Sequence, residues 1–67
     1  MDLNARQINA LLIIKENGKI TNKEYREMNS LSDEGARIDL NELVEKNILI
    51  SKGSGRSAHY VLKKFGN

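Results

Sequence analysis

Cysteine, proline and tryptophan are missing altogether from this chain of 67 residues. Without cysteine there is neither a disulfide staple nor a thiolate metal site. A single histidine, His59, cannot build a zinc site without other strong ligands beside it. Aromatic residues are limited to Tyr25, Tyr60 and Phe65, so the core has to be aliphatic. No apolar run is long enough to span a bilayer and no signal-peptide pattern opens the chain; the expectation is a cytoplasmic protein without a membrane partner. Proline-free sequence suits short helices and one hairpin. No nucleophile, base and orienting group stand in a catalytic arrangement, which argues against an enzyme. The glycine-rich G-S-G-R-S at 53–57 lacks the G-K-[ST] of a phosphate loop and does not lead from a strand into a helix. Neither a cofactor nor a metal is expected.

What is present reads as one small domain over 1–67, with no repeat, low-complexity tract or linker. A chain of this size buries only about 60% of its unfolded surface, so its stability margin is thin. Asn4 with Gln7, and Thr21 with Glu24, have capping-box spacing, with Leu3/Ile8 and Ile20/Tyr25 placed as hydrophobic staples. The first helix carries Ile8, Leu11, Leu12 and Lys15 down one side, widened by Ala10 and Ile14, and Gly18 takes the left-handed position after it. Lys19 and Ile20 leave room for a very short extended segment. The second helix presents Tyr25 and Met28 as core residues. Asn29-Ser30-Leu31-Ser32 is a turn with Leu31 as an anchor, and Ser32 caps a third helix from about Asp33 to Lys46. Ala36, Leu40, Leu43 and Val44 form its buried stripe, and Asn47 is placed to stop it.

Residues 48–52 and 59–62 read as two strands joined by a flexible tip at 53–57, with Ile48, Ile50, Tyr60 and Leu62 as the expected inward face. Residues 63–67 read as a loosely held tail, with Phe65 tucked back as one option. Two strands alone are marginal in water and have to lean on the helices. Charge is uneven along the chain. Residues 34–47 hold four acids against Arg37 and Lys46, a balance of −2, whereas residues 48–67 hold Lys52, Arg56, Lys63 and Lys64 with no acid, a balance of +4.

Helix, short extended segment, helix, helix, hairpin is the order of a winged helix-turn-helix, an α+β fold that is mostly α. The strings K-I-T-N-K-E-Y, D-L-N-E-L-V-E-K-N-I-L, G-S-G-R and H-Y-V-L resemble the C-terminal winged helix-turn-helix domain of bacterial and archaeal transcriptional regulators related to ATP-dependent DNA helicases. The resemblance runs from Leu3 to Leu62. It implies the C-terminal piece of a longer chain and binding to double-stranded DNA, with the third helix in the major groove and the wing on the backbone or minor groove. It also shows a departure: the family tends to follow the opening serine with basic and hydroxyl residues, whereas Asp33, Glu34 and Gly35 follow Ser32 here.

Candidate DNA contacts are Ser32, Arg37 and Asn41 on the third helix, and Lys52, Ser54, Arg56, Ser57 and Lys63 on the wing and its flank. These residue types fit because phosphates and guanine edges want donors, and each neutralised phosphate adds a salt-dependent increment. The outer arc of the third helix, with Glu34, Ile38, Glu42 and Glu45, leaves two other roles open. It can be a solvated face, or a docking surface for a homodimer or for upstream domains of the same chain, with Ile38 as the contact.

Overall fold

Three helices open on the caps that the sequence sets out for them. The computed structural model describes residues 3–63; α1 spans Ala5–Asn17, α2 Asn22–Asn29 and α3 Asp33–Glu45. Asn4 Oδ1 accepts from the Gln7 amide at 2.8 Å, and Gln7 Oε1 accepts from the Asn4 amide at 3.0 Å. Thr21 and Glu24 repeat the exchange at 3.1 and 2.9 Å, and Ser32 Oγ accepts from the Gly35 amide at 3.1 Å. A side chain of this kind satisfies orphan amides of the first turn and contributes about 1 kcal/mol.

Each helix also leads into a left-handed residue: Gly18 (φ 91°), Ser30 (φ 54°) and Asn47 (φ 62°). After α3 the amides of Asn47 and Ile48 turn back to the carbonyls of Val44 and Leu43, each at 3.0 Å, in a Schellman arrangement. The strands β1 (Leu49–Lys52) and β2 (His59–Leu62) then pair antiparallel, Leu49 opposite Leu62 and Lys52 opposite His59. The short extended segment expected at Ile20 is an isolated bridge to Tyr60, with amide-to-carbonyl bonds of 3.0 and 2.8 Å in the two directions. The architecture is α+β, mostly α, in the layout of a winged helix.

The core is aliphatic around one tyrosine. Ala36, Leu40 and Leu43 of α3 are sealed against Ile14, Ile20 and Tyr25, and Val44 and Leu31 pack at its margin. Three expectations need correction. On α1 the buried stripe is Gln7, Ala10 and Ile14, while Ile8 and Leu12 are 47% and 56% exposed. Gln7 fixes that rotation: its Nε2 donates to the Asp39 carbonyl at 3.1 Å and to Glu42 Oε1 at 2.8 Å. Leu3 thus packs on the core without a buried Ile8 to complete the staple. Met28 is exposed as well, leaving Tyr25 as the buried residue of α2. In the hairpin, Ile50 pairs with Val61 and Tyr60 with Ser51, so Ile50 and Tyr60 stand on opposite faces. Ile48 belongs to the Schellman turn and the alternation restarts at Leu49, which turns Ile50 away from the core; Leu62, opposite Leu49 and on its face, is left 37% exposed at the end of its strand.

A carboxylate that the sequence offers as one more surface acid joins all three helices. Asp39 of α3 is 8% exposed. Its Oδ2 accepts from the Tyr25 hydroxyl of α2 and from Arg6 Nε of α1, both at 2.8 Å. Burial pushes this carboxyl up, but the hydrogen bonds from Arg6 and Tyr25 and the charge of Arg6 outweigh it and hold it below its ordinary value. Tyr25 moves the other way: burial, then its bond to Asp39, raise the phenol above its ordinary range.

Candidate nucleic-acid interface

The wing tip is an ordered turn. Gly55–Ser57 form a single 3-10 turn. Ser57 Oγ donates to the Ser54 carbonyl at 2.9 Å, and the Ser57 amide donates to the same carbonyl at 3.1 Å. His59 Nδ1 donates to the Ser57 carbonyl at 2.6 Å, orienting the ring beside the turn. The Ser57 hydroxyl hydrogen is thus used within the turn. Gly53 is fixed by space, since it sits at φ 74° and a Cβ there would lie 2.5 Å from the Ser57 carbonyl oxygen.

The Ile20–Tyr60 bridge holds the start of α2 beside the end of the wing. The result is an open cleft of about 350 Å³ lined by Thr21, Asn22, Lys23 and Arg26 from α2 and by Gly55, Arg56 and Ala58 from the wing. Three cations thus meet where the first-turn amides of α2 emerge, a setting suited to an anion. Glu24 follows Lys23 directly and Glu27 follows Arg26; the Glu24 Oε1 is engaged by the Thr21 amide and hydroxyl at 2.9 and 3.1 Å. Arg26 also faces α3. Its Nε donates to Asn22 Oδ1 at 3.0 Å and lies 3.9 Å from Asp33 Oδ1, while Asp33 Oδ2 takes a 2.6 Å bond from Arg37 Nη2. Arg56, Lys23, Arg26 and Arg37 therefore form a cationic strip from the wing tip across α2 to the first turns of α3, interrupted by Asp33.

The candidates fall into three groups. Arg56 is in the cleft, Arg37 ends the strip, and Ser54 and Ser57 build the turn that presents Arg56. Ser32 caps α3 and is exposed, and Asn41 is exposed one turn beyond Arg37. Lys52 and Lys63 line a different groove, against α1, and so do not extend the wing-tip cluster. Glu34, Ile38, Glu42 and Glu45 lie exposed on α3; Glu42 accepts from Gln7, and Ile38 is 61% exposed. Lys23 and Arg26 were not among the candidates. Their i,i+3 spacing put them on one helix face, but only the bridge at Ile20 brings that face to the wing. Lys64 and Phe65, and the tail beyond Lys63, lie outside the described residues.

No group of histidine, cysteine, aspartate or glutamate among the described residues could hold a metal, and no helix among them is long and apolar enough to cross a membrane. Comparison with protein-family models, with curated proteins and with solved structures finds no match.

Proposed function

We propose that the domain binds double-stranded DNA, as the DNA-binding module of a transcriptional regulator, and that it grips the sugar–phosphate backbone chiefly through the wing tip and α2. The observation that carries this reading is the cleft in which Arg56 faces Lys23 and Arg26 at the start of α2. Guanidinium groups offer paired donors to phosphate oxygens, and a cleft edged by three cations gives a phosphate several partners at once. Arg37 and Asn41 continue the contact onto α3. Glu34 and Glu45 point from the outer arc of that helix, where a polyanion would be repelled. The reading therefore places α3 alongside the groove on its Arg37 flank, with its outer arc turned away from the bases. The resemblance in the wing and third-helix strings supports the same role.

The test is fluorescence anisotropy with a random-sequence duplex over a range of salt. Three neutralised phosphates correspond to a slope of log K against log salt of about −2.7, and Arg56→Ala should flatten it by about 0.9. The pair Lys23→Ala/Arg26→Ala should weaken binding further at unchanged helix content by circular dichroism. Binding that ignores salt, or that survives all three substitutions, would overturn the reading.

A further inference from the structure

Two other surfaces have matching shapes of charge. Between α1 and the hairpin lies an open groove of about 870 Å³, with Ile14, Ile50, Val61 and Leu62 along it. Ile50 and Val61 are a cross-strand pair and share one face, and Ile50 is 37% exposed. Lys15, Lys52 and Lys63 edge the groove, and none of them makes a salt bridge within the described residues. The outer arc of α3 is the converse. Ile38 is the most exposed large hydrophobic residue described, with Glu34 and Glu42 one turn to either side and Glu45 a further turn on. Glu34 and Glu45 make no salt bridge within the described residues.

We infer that the domain self-associates head to tail, the Ile38 ridge of one copy seated in the lysine-edged groove of the next. Charge selects this occupant. Groove against groove would set lysines against lysines, and ridge against ridge would set glutamates against glutamates. Ridge into groove pairs the two sets and covers Ile38 and Ile50 together. The contact is heterologous, so each pair retains a free ridge and a free groove, and assembly continues or closes into a ring. Because charge pairing holds it, the contact is sensitive to salt, and like any association it depends on protein concentration. The inference does not rest on DNA binding, because Lys23, Arg26 and Arg56 belong to neither surface.

Sedimentation velocity over rising protein concentration tests it. The unsubstituted domain should grow beyond a monomer at low salt and return to a monomer at high salt. Ile38→Glu and Ile50→Glu should each remain monomeric. Mixed in equal amounts they should form a one-to-one pair that grows no further, since the first retains an intact groove and the second an intact ridge. Ile50 is partly buried, so Lys15→Glu/Lys63→Glu serves as a second groove variant that leaves the apolar floor untouched. That variant should be monomeric alone and should pair with Glu34→Lys/Glu45→Lys. A monomer at every concentration overturns the inference. So does association that survives Ile38→Glu, or a mixture that fails to pair.

Discussion

Asp39 shows how much a single side chain can decide here. Its carboxyl is held below its ordinary value in the fold, so its contribution is fully present above the unfolded value of about 3.9 and is lost as pH falls through the folded value. Unfolding free energy measured by denaturant titration should therefore decline on the acid side below about pH 4, and Asp39→Asn should flatten that decline while lowering stability at neutral pH. Asp33 works in the opposite sense, since it occupies Arg37 at 2.6 Å and approaches Arg26. Asp33→Asn should tighten DNA binding at low salt by releasing both guanidinium groups. It should also cost about 0.5 kcal/mol of stability, because a negative charge leaves the first turn of α3; anisotropy and thermal melting read the two effects separately.

Among the secondary-structure elements, legibility followed the distance over which a residue acts. The caps at Asn4, Thr21 and Ser32 act across three residues, reciprocally at the first two and through a single bond at the third, and all three were visible in the sequence. The stripe of Ala36, Leu40 and Leu43 was equally plain, because one helix facing one core repeats at 3.6. The face of α1 was not, since Gln7 is drawn inward by groups more than 30 residues away in α3. Hairpin phase was lost for a local reason that hydrophobicity does not encode: Ile48 closes the helix before the strand starts. The basic character of the wing was legible, but its pairing with Lys23 and Arg26 depends on the tertiary bridge at Ile20. The wing itself rests on Gly53. Gly53→Ala forces a side chain into a left-handed position against the Ser57 carbonyl, at a cost of about 1–2 kcal/mol. Thermal melting should fall accordingly, and DNA affinity should drop toward that of Arg56→Ala with helix content unchanged.

Across the molecule, charge is sorted by surface more than by sequence half. The cleft at the wing tip, the lysine-edged groove and the acidic arc of α3 occupy separate faces, and the net charge of +2 conceals all three. If DNA holds the strip and a second copy holds the arc, raising salt should weaken both events, while Ile38→Glu should abolish only the second. One carboxylate, meanwhile, ties α1, α2 and α3 to each other. A bundle knotted at a common point cannot shed one member and keep the other two intact. Amide hydrogen exchange in the middles of these helices should accordingly report a single opening event with one shared free energy, and cutting the knot with Asp39→Asn should let them open separately.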